Sequence, residues 1–464
     1  MRWPGTIRKI QEAFRNKSLT VERLTRHYLD GIERLQPQLN AFITVTAETA
    51  IKTARERDSE LRMGSNRGPL HGVPLAIKDD IDVENERCTV GSAIFDQRFS
   101  TKDAHVVQKL RKAGAIILGK TNMNEMAAGG RGGFNPYYGD TVNPWSAAYE
   151  PGGSSSGSAV AVASGLCAGA LGTDSGGSIR GPAARCGVIG LRPTLDLIPT
   201  TDVFPRCPSY NTVGILTRSA TDAAILFDVL AGKDQVGPGK ISIKDRFNIS
   251  FLNELAGLRV GVIKDFTLCN LSSEVETALR KSLKSFTDFG AEVIEIEVPA
   301  LKKAPGDAEM AEIIFYEFYR TIRSDYFRAK PSLFGDIVHS DVRKAATIEE
   351  SAYNAAITER KSLRKEIFDT FQSVDILVTP TFPDMHMRAS AKPDFSGKMR
   401  RFTIPVSYFG LPAISVNCGF SRALLPIGMQ IIGAPGDEAL ILNFAYTFEK
   451  LNNLGNCRPT VFWG

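Results

Sequence analysis

The chain has 464 residues, enough for one large α/β domain or for two or three of ordinary size. Hydrophobic residues make up 43% and charged residues 23%, which excludes a disordered or fibrous chain and fits a globular one with ample core. The net charge of +5 comes from 56 basic and 51 acidic residues, which argues against a dedicated nucleic-acid binder but leaves contact with an RNA partner open.

The basic start, MRWPGTIRKIQEAFRNKS, has the charge of a transit peptide. It also carries apolar positions at Ile7, Ile10 and Phe14 and runs straight into a helical pattern, so it is read as part of the fold. Residues 20–36 place Val21, Leu24, Tyr28, Ile32 and Leu35 on one helical face, with Thr20 as cap. GVPLAIKDDID (72–82) reads as a strand ending in charges. AHVVQKLRKAG (104–114) reads as a helix stopped by Gly114, and AIILGKT (115–121) as a strand. A loop-rich stretch follows over 129–145. Then come a small-residue helix beginning at the serines of 152–157 and a buried strand near Ala170–Asp174.

Residues 219–232 form a helix between Ser219 as cap and Gly232 as stop. Residues 258–265, 273–289 and 291–299 make a strand, helix, strand unit, with Gly290 ending the helix. Residues 305–372 are mostly helical and charged, and are read as a cap. Strands at 375–381, 412–418 and 426–433 precede a last helix over 437–451. The alternation predicts an α/β fold with a mixed, mostly parallel twisted sheet covered by helices on both faces. No linker or internal repeat divides it, so one domain over 1–464 is expected.

Seven cysteines without metal-like spacing point to free thiols in a reducing compartment, the cytoplasm. The five histidines show no paired ligand spacing, and neither a metal nor a cofactor is expected. No apolar run approaches the roughly 18 residues needed to cross a bilayer, so no membrane association is expected.

Three short motifs fail on context. GAIILGKT (114–121) matches the phosphate-loop pattern, but its four variable residues are the strand itself. GSSSG (153–157) matches the nucleophile elbow at Ser155, yet no strand precedes it and only His339 and His386 lie downstream. SLRK (362–365) sits in a charged helix without its companion motifs.

Lys78, Ser154 and Ser178 remain. Singly they read as a strand-end charge, a helix cap and a turn residue. Together they suggest chemistry. GTDSGGS places consecutive backbone N–H groups around two glycines, a concavity suited to an oxyanion. Lys78 ends an apolar strand, where lost solvation makes its neutral, basic form accessible. A lysine can replace histidine as the base of a serine nucleophile, and a second serine can bridge the two.

GPLHGVPLAIKDDIDV, PGGSSSGSAVAVASG and ALGTDSGGSIRGPAARCGVIGLRPT resemble the amidase signature family of serine hydrolases. The likeness extends to LGKTNMNEMA, NPYYGDTVNPW, TIPVSYFGLPAISV and PIGMQIIG, with the signature core over about 65–200. The resemblance implies a catalytic triad of Ser178 as nucleophile, Ser154 after a cis peptide as bridge, and Lys78 as base. It implies an oxyanion hole at the amides of Ser175, Gly176, Gly177 and Ser178. The loop Ala127–Arg131, with Gly129 and Gly130, resembles the acyl side of the family's pocket. Asp174 and Arg180 are read as scaffolding.

The activity implied is hydrolysis of a small carboxamide, with esters and carbamates open, through an acyl-enzyme. A small-molecule amide is the expected partner, with no direct nucleic-acid contact and a homodimer left open. Within the family, the alternative is the glutamine-hydrolysing A subunit of a glutamyl-tRNA(Gln) amidotransferase. In that protein an Asp for the glutamine ammonium stands ten residues before GLP, where this chain has Arg400, and a glycine usually stands where this chain has Ser156. A cation at 400 repels an ammonium, which favours the stand-alone amidase. Arg400 and Arg401 are left open between binding an acidic substrate and lying in solvent. A non-catalytic scaffold is the third reading, and the intact Lys78, Ser154 and Ser178 speak against it.

Overall fold

Among the described residues, short apolar runs bounded by glycine, proline and charge make eleven strands in one sheet. The computed structural model describes residues 5–231, 255–304, 307–322, 331–391, 398–454 and 457–463. The strands are β1 (Phe42–Val45), β2 (Pro74–Lys78), β3 (Ile116–Thr121), β4 (Gly169–Asp174), β5 (Ile189–Arg192), β6 (Thr212–Thr217), β7 (Arg259–Ile263), β8 (Glu292–Ile296), β9 (Ile376–Pro380), β10 (Ala413–Phe420) and β11 (Pro426–Gly433). Their order is β1-β3-β2-β4-β6-β5-β10-β11-β9-β7-β8. Every residue of β2 to β6 is buried, which explains their near-continuous apolar sequences.

The fold is the expected single large α/β domain with a mixed sheet, but its parallel share is smaller than expected. Four of ten neighbouring pairs are parallel: β3-β2-β4 at one end and β9-β7-β8 at the other. The middle is antiparallel, because β5–β6 and β10–β11 are joined by links without a crossover helix.

Among the described residues the α-helices are α1 (Ile7–Arg15), α2 (Val21–Leu39), α3 (Ala47–Arg62), α4 (His105–Lys112), α5 (Ser156–Ala163), α6 (Arg180–Cys186), α7 (Ala220–Ala231), α8 (Ser273–Asp288), α9 (Pro299–Lys303), α10 (Asp307–Ile322), α11 (Asp336–Ala345), α12 (Glu350–Thr370), α13 (Thr403–Phe409) and α14 (Glu438–Asn452). Thr20 caps α2 by accepting from Arg23 N, and the helix runs through Pro37 to Asn40, whose left-handed φ of 46° ends it. Gly232, the expected stop of α7, lies outside the described residues.

The two faces of the sheet are covered by different helices. Glycines 169 and 172 of β4 point to opposite faces, being three residues apart. A Cβ at Gly169 would meet Leu226 of α7 at 2.9 Å, and one at Gly172 would meet Ser155, just before α5, at 2.7 Å. The stretch read as a cap builds two satellite cores. One joins Ile313, Leu363 and Ile367 to β9 and α13. The other joins Phe318, Ile322, Phe334, Val338 and Val342 to Met123 and Met126, in the segment after β3. No helix of the described residues is long and apolar enough to cross a membrane.

Helix α5 lies so close to the segment after β3 that Gly157 has room for no side chain. A Cβ there would come within 2.5 Å of Asn122 N and 2.6 Å of Asn122 O, both backbone atoms. Gly157→Ala is therefore expected to cost about 3 kcal/mol through overpacking, read as a lower denaturant midpoint at unchanged slope. An unchanged midpoint would mean that α5 can back away from the sheet.

Candidate active site

Strands β2 and β4 are parallel neighbours, so their carboxyl ends open side by side. Lys78 is the last residue of β2, and Ser178 follows the end of β4 by four residues. Ser154 lies in the turn before α5, which packs against β2 and β4. The Gly153–Ser154 peptide is cis. Ser155 N donates to Ser178 O at 3.1 Å and fixes the two serine segments together.

Lys78 is fully buried. Its Nζ lies 2.8 Å from Ser154 Oγ, 2.6 Å from Thr173 Oγ1 and 3.3 Å from Asp80 Oδ2. Thr173 Oγ1 donates to Asp80 Oδ2 at 2.6 Å, so it can only accept from the lysine. Burial pulls the Lys78 ammonium below its ordinary range, and the Asp80 carboxylate opposes this without cancelling it. Thr173 and Asp80 are neighbours of Lys78 that the sequence reading missed. The signal was there in KDD: Asp80 stands two residues beyond Lys78.

Ser178 and Ser154 line one cleft with Gly176, Gly177, Gly129 and Gly130. Ala127, Ala128, Asn124, Glu150, Phe382, Met387, Met399, Arg400 and Thr403 complete its walls. Among the described residues Ser178 Oγ makes no hydrogen bond. Arg131, the end of the expected pocket loop, turns to Asp140 and Phe134. Ser175 does not reach the cleft; its hydroxyl donates to Asn211 Oδ1 at 3.0 Å.

One expected oxyanion donor is directed elsewhere. Gly177 N–H donates to Asp174 Oδ1 at 2.8 Å, and Gly177 has a φ of +116°. A Cβ at 177 would strike Thr403, so glycine is required there. The N–H groups of Ser175, Gly176 and Ser178 have no partner among the described residues.

Asp174 and Arg180 form the scaffold. Arg180 Nε and Nη2 hold the two Asp174 oxygens at 3.0 Å each, and Arg192 Nη1 lies 3.3 Å from Oδ1. Ile179 N donates to Oδ2 at 3.1 Å and Ser407 Oγ to Oδ1 at 3.2 Å. Burial by itself would raise the Asp174 carboxyl, but the two guanidiniums outweigh it and hold it well below the carboxylate range. Arg180 reaches onward to Gln430 Oε1 at 2.6 Å and Thr403 O at 2.9 Å.

The discarded motifs stay apart from the cleft chemistry. Ser155 is buried and donates to Thr173 O at 3.2 Å. His386 bonds Pro426 O at 2.8 Å, and burial pushes its ring down to about 3. Lys120 of the phosphate-loop pattern is buried in β3, 3.1 Å from Asp79.

A family model described as Amidase matches residues 23–442. The chain is 33% identical over 470 residues to the A subunit of a glutamyl-tRNA(Gln) amidotransferase of Caldanaerobacter subterraneus subsp. tengcongensis, covering 96% of each. Among solved structures it superposes on native peptide amidase from Stenotrophomonas maltophilia with a TM-score of 0.83 at 28% identity, covering 99% of this chain and 98% of that one. It superposes on the A subunit of the glutamyl-tRNA(Gln) amidotransferase from Thermotoga maritima with a TM-score of 0.80 at 30% identity, covering 96% and 94%. The chain belongs to the amidase family and is a hydrolase of that family.

The scaffold sets a pH dependence of stability. A carboxyl held low in the folded state stabilises above its unfolded pKa and loses that contribution as pH falls. The denaturant midpoint of the wild type is thus expected to fall below about pH 4. Asp174→Asn should lose about 3–5 kcal/mol at neutral pH, since it strands buried guanidiniums, and should flatten the acid limb. Equal midpoints for the two proteins at neutral pH would show that the cluster contributes nothing net.

Proposed function

We propose that this amidase-family chain is a stand-alone amidase that hydrolyses a small carboxamide through Ser178, with Ser154 as relay and Lys78 as base. The observation that carries the reading is the 2.8 Å contact between fully buried Lys78 Nζ and Ser154 Oγ. A neutral amine at that position donates its two N–H bonds to Thr173 and Asp80 and turns its lone pair toward the Ser154 hydroxyl.

In the proposed cycle Lys78 takes the Ser154 proton while Ser154 takes that of Ser178. Ser178 Oγ then bonds to the amide carbon. The N–H groups of Gly176 and Ser178 stabilise the oxyanion, each about 3–4 kcal/mol when well placed. The relay reverses, a proton reaches the leaving nitrogen, and the C–N bond breaks. Water, deprotonated by the same relay, adds to the acyl ester, and the acid leaves as Ser178 regains its proton. The helical segment from α10 to α12 serves as a cap that shapes the pocket. The seven cysteines are free, which suits a reducing cytoplasm.

A glutamine-hydrolysing component of an amidotransferase is the second reading, favoured by the names of the sequence relatives. The cation of Arg400 on the cleft wall weighs against it, since the glutamine α-ammonium would meet repulsion there.

A fluorophosphonate probe is expected to label Ser178, and Ser178→Ala should lose the label and at least about 10⁴-fold in kcat. Appreciable turnover by that variant would overturn the assignment. Ammonia release from glutamine, assayed with and without the other amidotransferase components, separates the two readings. Because the neutral amine is the active form, kcat/KM should rise with pH along a limb lying below the ordinary lysine value. A limb at or above the ordinary lysine value would remove the lowered Lys78 as the base.

A further inference from the structure

We infer that Asp80 is a positioning residue whose carboxylate decides when Lys78 gives up its proton and becomes available as the base; the inference rests on the Lys78, Ser154 and Ser178 reading above. Asp80 is buried two residues beyond Lys78. Its backbone oxygen accepts from Phe204 N at 2.8 Å, which anchors the turn after β2. Oδ2 lies 3.3 Å from Lys78 Nζ and accepts from Thr173 Oγ1 at 2.6 Å. Oδ1 is buried and has no hydrogen-bond partner among the described residues. Asp174 divides its charge between two guanidiniums and two backbone amides. Asp80 has none of these: among the described residues Lys78 is the one cation in ion-pair contact with it. A carboxylate so placed, in surroundings of low dielectric, holds the proton on its single ammonium.

The other charges around Lys78 are engaged with one another. On its own segment Asp79 accepts from Thr89 N at 2.9 Å and pairs with Lys120 of β3 at 3.1 Å. Strand β4 brings Asp174, which Arg180 and Arg192 already hold. The segment between β5 and β6 brings Arg206, which repels the ammonium and pairs with Asp341 at 2.8 Å. Helix α5 brings the buried Ser156 and Ser158, which carry no charge. Burial lowers Lys78, and Asp80 is the largest of the charges that oppose it. While Asp80 holds the ammonium, Ser154 has no base. Replacing the carboxylate by an amide removes the charge and leaves an oxygen to accept from the lysine. The Lys78 amine then becomes neutral at a lower pH, and the active range widens toward acid.

The test follows the rate of fluorophosphonate labelling of Ser178 against pH, which needs no knowledge of the substrate. The wild type should show a rising limb, and Asp80→Asn should move its midpoint down by about 1–3 pH units. One pH unit below the wild-type midpoint, labelling relative to each protein's own plateau should be at least about fivefold faster in Asp80→Asn. Asp80→Glu keeps the charge, so its midpoint should stay nearer the wild type than that of Asp80→Asn. Thermal melting reports whether each variant folds. Should Asp80→Asn not fold, Asp80→Ser, which also removes the charge, decides by the same limb. A folded neutral variant whose midpoint lies within about 0.3 pH unit of the wild type, or above it, overturns the inference. So does a folded neutral variant that is not labelled at any pH, or an Asp80→Glu limb displaced as far as that of Asp80→Asn. Those results leave the reading of Ser178 standing, because the wild type is still labelled. A wild type without label at any pH overturns that reading, and this inference falls with it.

Discussion

The carboxylate of Asp174 is the point on which the site hangs. It ends β4 with no exposed surface, and it gathers a side chain from β5, one from α6, one from α13 and two amides of the Ser178 loop. A buried carboxylate in this position is costly unless every lone pair is used. Here each oxygen has several donors, so the loop after β4 has one conformation that satisfies it. The same bonds engage Gly177 N, while the amides of Gly176 and Ser178 on either side have no partner among the described residues. The arrangement of the amides at 176–178 thus follows from how one acid is satisfied.

Two buried lysines on adjacent strands show how differently similar groups can be used. Lys78 ends β2 and Lys120 lies in β3, each with an aspartate of the same KDD segment close by. Burial lowers both. For Lys120, Asp79 and the sulfur-bearing Cys88 outweigh burial and hold the ammonium above its ordinary range. For Lys78 burial wins: the Asp80 and Asp174 carboxylates oppose it without cancelling it, the Thr173 and Ser154 hydroxyls bring no charge, and Arg206 adds repulsion. Lys120 is held above the ordinary lysine range and Lys78 below it. The sequence distinguishes them only through context: one stands at a strand end among serine-rich partners, the other inside a strand.

Periodicity made the long elements legible. The stripe of α2, the apolar runs of β2, β3, β4, β9 and β11, and the strand–helix–strand unit of β7, α8 and β8 all fall close to where the pattern put them. What escaped notice lacked a contrast between faces. Helix α3 buries only Ala50 and Ala54 together with the polar Arg57 and Asp58, so no apolar stripe marks it. Strands β1 and β5 are four residues long, too short for a period to show. In the site, Lys78, Ser154 and Ser178 stood out because their motifs are local. Thr173, Thr403 and Arg192 did not, since their roles arise from neighbours that are distant in sequence, and only the folded chain shows where their side chains point.

Chemistry and selectivity are therefore supported by different parts of the molecule. Lys78 ends buried β2, Ser178 lies four residues beyond buried β4, and Ser154 is tied to Lys78. The far wall of the cleft is not self-supporting. Met126 and Ala127 adopt left-handed φ angles of 47° and 54°, a conformation that non-glycine residues keep only when packed in place. That packing comes from the helical segment: Phe318, Phe334 and Val338 enclose Met126, and Glu125 accepts from Ser92 Oγ at 2.6 Å and from Gly335 N at 3.0 Å. Burial pushes the Glu125 carboxyl up to about 7. Changes in α10 and α11 can then move Ala127 to Gly130 relative to Ser178 without touching the strands that position Lys78 and the Ser178 loop.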